Sequence, residues 1–152
     1  MKKFFKKLIS FSIISVFFLN IDQVRSLVPY YYFPTTKNLK EEGLSIGRNA
    51  YQLLSFGQYE QSLQLAKLAV KINKKDEKLW LILSEAQVAN SLYKQALNSL
   101  NKAQKLNSKI SDIYFAKANI YLKISQIKSA KTALENGLSI EPNNHKAIFQ
   151  LG

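Results

Sequence analysis

The chain contains no cysteine, which excludes disulfide staples, thiolate metal sites and a lipid-modified cysteine at a processed N-terminus. It has one histidine, His145, and nothing around it arranged as a nucleophile, a carboxylate dyad or a paired-His metal motif. No glycine-rich phosphate loop and no Ser-centred elbow occurs, so catalysis is set aside and no cofactor or metal is expected. Glycine and proline are scarce, at five and three in 152 residues, which leaves room for long helices. Acidic residues number ten against 22 basic ones, a formal charge of +12. No apolar run reaches the roughly 20 residues that cross a bilayer comfortably. The longest, Leu8–Ile21, has 14 residues.

That short run follows Lys2, Lys3, Lys6 and Lys7, and polar residues follow it. A basic start, a brief apolar stretch and a polar exit form the layout of a secretory signal, with cleavage after Ser26. An uncleaved membrane anchor over residues 1–26 is the alternative, and in both cases the lysines stay cytoplasmic while the remainder crosses. Localisation in a periplasm, envelope or thylakoid lumen is therefore expected. Residues 27–42 follow as a linker in which Pro29 and Pro34 bracket Tyr30-Tyr31-Tyr32-Phe33, a composition that favours an extended path.

With Lys2, Lys3, Lys6, Lys7, Arg25 and Asp22 set aside, 17 basic and nine acidic groups remain, a charge of +8. Such an excess attracts anionic lipid or nucleic acid, which gives the alternative function. The plainer explanation is that Lys67, Lys71, Lys102, Lys105, Lys128 and Lys131 stand singly on solvated helix faces, as their helical spacing suggests.

What the chain has in abundance is self-similarity at a period of 34 residues. Gly57, Ser91 and Ser125 share one phase; Ser62, Ala96 and Ala130 another; Ala66, Leu100 and Leu134 a third. Ile46, Trp80, Tyr114 and Ile148 share a fourth. Small and large apolar residues at matching phases predict stacked helix pairs. The predicted helices are Gly43–Phe56 with Tyr59–Ile72, Glu77–Asn90 with Tyr93–Leu106, and Ser111–Ile124 with Ile127–Ile140. Asp76, Ser108 or Ser111, and Asn143-Asn144 are the expected helix-start signals.

These residues resemble the tetratricopeptide repeat (TPR). The second repeat supplies Trp80, Leu83, Ser84, Tyr93, Ala96, Leu100 and Ala103 at the characteristic positions. The third supplies Tyr114, Ala118, Tyr121, Ile127, Ala130, Leu134, Gly137 and Pro142; the first is looser. The resemblance implies an all-α TPR solenoid over residues 43–152, with repeats at about 43–76, 77–110 and 111–144. The stub 145–152 is the opening of a fourth, and an apolar end there implies either a longer array or a frayed last turn. Composition and repeats are also similar to small bacterial TPR proteins, cyanobacterial ones that help assemble photosynthetic membrane complexes among them.

The family's first helices line a concave groove. Carried onto this sequence, that assigns Tyr51, Leu54, Lys78, Leu81, Glu85, Val88, Phe115, Asn119, Leu122 and Phe149 to partner binding. An amphipathic helix or an extended apolar peptide fits such a floor. Some of these side chains are alternatively covered by the 29–34 strap or by further repeats. Gly47, Tyr51 and Asp112 stand where carboxylate-clamping members of the family need Lys and Asn, which argues against a chaperone clamp. Glu at positions 51 and 115 is expected to abolish partner capture without unfolding the chain.

Overall fold

The computed structural model describes residues 36–151. The expected signal or anchor over 1–26, and most of the aromatic linker, lie outside the described residues. Within them the chain forms seven helices and no strand: α1 (Thr36–Ser55), α2 (Tyr59–Ile72), α3 (Glu77–Ala89), α4 (Tyr93–Leu106), α5 (Ser111–Lys123), α6 (Ile127–Ile140) and α7 (His145–Leu151). They pack as the pairs α1–α2, α3–α4 and α5–α6, and each pair leans on the next through α2–α3, α4–α5 and α6–α7. The predicted all-α solenoid of stacked pairs is therefore the observed fold.

One boundary needs correction. The linker was expected to reach residue 42, but α1 begins at Thr36. The stretch Lys37-Asn38-Leu39-Lys40-Glu41-Glu42 holds no proline or glycine, so nothing stops the helix from extending back toward Pro34.

Each helix pair turns on the same backbone device. The amide of Gln58 donates to Leu53 O at 2.9 Å and that of Gly57 to Leu54 O at 3.1 Å. Leu92 and Ser91 repeat this onto Gln87 and Val88, and Gln126 and Ser125 onto Tyr121 and Leu122. These are Schellman caps, which satisfy the last carbonyls of a helix and place one residue in the left-handed region. Gly57 sits there at φ 73°, Ser91 at 60° and Ser125 at 59°. A side chain costs about 1–2 kcal/mol in that conformation, partly offset by glycine's greater freedom when unfolded. Ser91→Gly and Ser125→Gly should therefore each stabilise the fold by about 0.5–1 kcal/mol, read as a higher urea midpoint at unchanged slope.

Three small clusters form the core. Leu63, Ala66, Ala69, Leu79 and Ala86 join the first two repeats. Ala96, Leu100, Ala103, Ile113 and Ile120 join the second and third, and Ala118, Leu134 and Ala147 carry the contact to α7. Alanines at the shared phases let helices approach, while leucine and isoleucine fill what remains. Buried hydroxyls are paired: Ser62 Oγ donates to Ala50 O at 2.7 Å and Ser99 Oγ to Gln87 Oε1 at 2.7 Å.

The fourth phase has a second task. Trp80 Nε1 donates to Lys74 O at 2.9 Å, and Tyr114 Oη donates to Ser108 O at 3.0 Å. Each aromatic thus packs into the core and pins the loop six residues before it. Lys102 Nζ stands 4.4 Å from the Trp80 ring centroid, within cation–π reach. Of the expected start signals, Asp76 accepts from Lys78 N at 3.0 Å and Asn144 from Ala147 N at 3.0 Å. Ser111 does not cap α5. The residue flanking that helix is Ile110, and Ser111 Oγ instead donates to Glu141 Oε2 at 2.7 Å, tying the start of α5 to the residue after α6.

Candidate functional site

The candidate site is the face made by the first helix of each pair, α1, α3 and α5, with α7 following. Its assigned residues divide by how much of each the fold consumes. Leu54, Leu81 and Val88 are half-buried and pack against the core clusters. Tyr51, Leu122 and Phe149 are 56%, 37% and 87% exposed, and Phe149 is the most exposed large apolar side chain among the described residues. Lys78, Glu85 and Asn119 are exposed polar positions among them.

Phe115 is placed differently from the rest. A Cβ added at Gly137 would lie 2.3 Å from Phe115 Cε1 and 2.7 Å from Cδ1, so the ring rests directly on the α6 backbone. Its flank belongs to the α5–α6 pair, and glutamate at 115 would remove packing as well as surface. The expectation that glutamate at 115 spares the fold is therefore withdrawn. Tyr51, Leu122 and Phe149 are the cleaner probes.

The polar fixtures also have identifiable partners. Asn119 Oδ1 faces Gln150 Nε2 at 3.4 Å, a long contact from α5 to α7 that leaves most of the amide's capacity free. Glu85 is an exposed residue, yet partial desolvation by its surroundings raises its carboxyl above the ordinary range, and nearby Asp112 adds to this. A raised carboxyl binds its proton more tightly in the folded chain than in the unfolded one. Stability from this group therefore falls as pH rises from the unfolded value through the folded one. Glu85→Gln should raise Tm slightly at neutral pH, with the gain shrinking toward zero as pH drops below the usual carboxylate range. Thermal melts of both chains across pH check the sign.

Two features escaped the sequence reading. Lys117 occupies the phase held by Leu83 in the preceding repeat, and burial pushes its amine below the usual lysine range. Its Nζ donates to Gln104 Oε1, and Gln104 Nε2 donates to Tyr114 Oη at 3.2 Å, so a short polar chain links α4 to α5. A lysine at a phase otherwise read as apolar was the available signal. The second is a lysine-rich cleft beside Leu39 and Lys40, hidden because α1 was expected to begin at Gly43.

No helix among the described residues is long and apolar enough to cross a membrane, and no cluster of potential metal ligands occurs among them.

Comparison with known proteins places this geometry. Residues 111–144 match the family model of the tetratricopeptide repeat. Sperm-associated antigen 1 of Rattus norvegicus is 37% identical over 79 residues, covering 50% of this chain and 9% of that protein. The Mus musculus protein of the same name is 38% identical over 79 residues, with the same 50% and 9% coverage. The chain thus spans about a tenth of the length of these curated relatives.

Among solved structures, the first TPR of Spaghetti (RPAP3), bound to the HSP90 peptide SRMEEVD, has a TM-score of 0.70 at 19% identity, covering 74% of this chain and 89% of that one. The Yersinia enterocolitica type III secretion translocator chaperone SycD has a TM-score of 0.68 at 16% identity, covering 77% and 90%. PcrH in complex with the chaperone-binding region of PopB has a TM-score of 0.64 at 13% identity, covering 73% and 90%. At such identities the likeness is one of fold. Three helix pairs in register and one turn device used three times give residues 36–151 the fold of a tetratricopeptide-repeat solenoid, and residues 111–144 match one such repeat from end to end.

Proposed function

We propose that the chain is a non-enzymatic scaffold that binds a peptide or a helix of another protein along the face of its first helices. The carrying observation is the exposure of Tyr51, Leu122 and Phe149, three large apolar side chains on one repeating face of a rigid array. Apolar surface of that kind marks a contact site. Aromatics at its ends provide anchors at low entropic cost, and Lys78, Glu85 and Asn119 supply register. The solved neighbours bound to an HSP90 peptide and to a region of PopB support this reading, since they show the same architecture holding polypeptide.

The proposal extends to placement. Four lysines and then a 14-residue apolar run open the chain, a layout that would export the solenoid or hold it at a membrane, where it would serve assembly of a membrane or envelope complex, in a bacterium by the family resemblance. The test is a photo-crosslinking residue placed in turn at 51, 122 and 149, and at the exposed outer position 67 as control, in the native cell. One partner trapped from the first three and not from 67 is the expected result. Tyr51→Glu with Leu122→Glu should weaken that capture about a hundredfold while leaving helicity unchanged. Equal trapping from 67 and 51 would sink the reading.

A further inference from the structure

At the boundary of the first and second repeats lies a cleft of about 790 Å³, open to solvent. That is within the range of ligand pockets, roughly 300–1,000 Å³. Leu39 and Leu44 of α1 and Ile72 of α2 provide its apolar part. Lys40, Lys71, Lys74, Lys75 and Lys78 stand around it, all five exposed. Asp76 and Glu77 are the opposing charges on its wall, and both serve the start of α3: Asp76 caps it at Lys78 N, and Glu77 lies in its first turn. The cleft is left strongly positive.

The fold does not demand this. One period on, the positions equivalent to Lys71, Lys74, Lys75 and Lys78 are Lys105, Ser108, Lys109 and Asp112. A further period on they are Ser139, Pro142, Asn143 and Lys146. The loop geometry nonetheless recurs, with Asn73 Oδ1 accepting from Lys75 N at 3.3 Å and Asn107 Oδ1 from Lys109 N at 3.1 Å. Lysine at all four positions is confined to the first boundary, where α1 adds Lys40 and Leu39 as well. Like charges gathered at one concavity repel one another, and an anionic occupant relieves that repulsion.

We propose that this cleft takes an acidic stretch of a partner polypeptide carrying leucine or a similar side chain among its carboxylates. Carboxylates meet the lysine rim, and the apolar side chains meet Leu39, Leu44 and Ile72. No lining residue is aromatic, so the site lacks the stacking platforms that hold single-stranded nucleic acid. A concavity with an apolar floor does not match the plane of a lipid surface. The inference rests on the reading of the chain as a protein-binding scaffold, and it specifies the partner's chemistry where the groove residue Lys78 borders the cleft.

The test is fluorescence anisotropy with the full chain and four probes. These are a labelled peptide alternating Glu and Leu, the same peptide with Gln for Glu, an oligothymidylate of equal charge, and phosphatidylglycerol–phosphatidylcholine vesicles. The Glu–Leu peptide should bind best, more weakly as salt rises. Lys71→Glu with Lys75→Glu should weaken it by about tenfold or more, whereas the same reversal at Lys128 and Lys131 on α6 should change it by less than about twofold. Lys71→Gln with Lys75→Gln should give a smaller loss, keeping the result readable if the double reversal disturbs the helix. Equal binding of the Gln peptide, equal loss from the α6 reversal, or tighter binding of the oligothymidylate or vesicles overturns the proposal. Tyr51→Glu with Leu122→Glu should leave this peptide's affinity unchanged. Failure of the cleft with crosslinking at 51, 122 and 149 intact removes only the cleft. Lost crosslinking with peptide binding intact removes only the groove.

Discussion

Leu79→Ala is expected to lower the unfolding free energy by about 2–5 kcal/mol and to split a single transition into two. Leu79 is fully buried, and its terminal carbons occupy the space beside α1. A Cβ at Gly47 would fall 2.5 Å from Leu79 Cδ2, and one at Gly43 3.5 Å from Cδ1. The side chain is thus the wedge between α1 and α3, where the first repeat meets the second. In a stacked array each repeat is stabilised chiefly by its neighbours, so a cavity at one interface loosens the repeat beyond it. Trp80, the only tryptophan, lies on α3 and reports the second repeat, whereas far-UV circular dichroism reports every helix. In urea the dichroism should begin to fall before the fluorescence changes, a breakdown of two-state behaviour expected of the variant and not of the parent chain. Coincident curves displaced by less than about 1 kcal/mol would refute the wedge.

Gly137→Ala should destabilise the chain by about 1–3 kcal/mol, although alanine is the better helix former by about 1 kcal/mol. The added methyl would meet three Phe115 ring carbons at 2.3, 2.7 and 3.0 Å, and an aromatic ring has no flexible end to withdraw. Either the ring swings toward the partner-binding face or α5 and α6 separate. Phe115→Leu in the same chain should recover part of the loss, with a coupling energy of about 0.5–3 kcal/mol in the double-mutant cycle. A Gly137→Ala chain as stable as the parent, measured by urea unfolding, would show that the ring relaxes freely. It would then return Phe115 wholly to the partner-binding face.

These two sites show where the sequence was legible and where it was not. Phase assignments placed α2, α4 and α6 at Tyr59–Ile72, Tyr93–Leu106 and Ile127–Ile140, as observed. Their apolar positions recur through every turn, and Schellman turns or interrupting loops bound them. The start of α1 was missed because Lys37–Glu42 lacks the paired small and large apolar residues that mark the repeat, and consists mostly of good helix formers. Ser111 was misread because a hydroxyl near a helix start has several acceptors within reach, and Glu141 is 30 residues away in sequence. Phe115 could not be divided between core and surface for the same reason: its neighbour Gly137 lies on another helix.

Repetition along the chain determined that there are helix pairs, how long most of them are and which phase faces inward. Periodicity is a one-dimensional property, and helical geometry converts it directly into faces. Tertiary packing alone decided which inward-pointing side chains are consumed by the core, which remain on the face at Tyr51, Leu122 and Phe149, and that five lysines from three helices and a loop share one concavity. Those outcomes depend on distances between residues far apart in sequence, set by the size of side chains at each helix crossing.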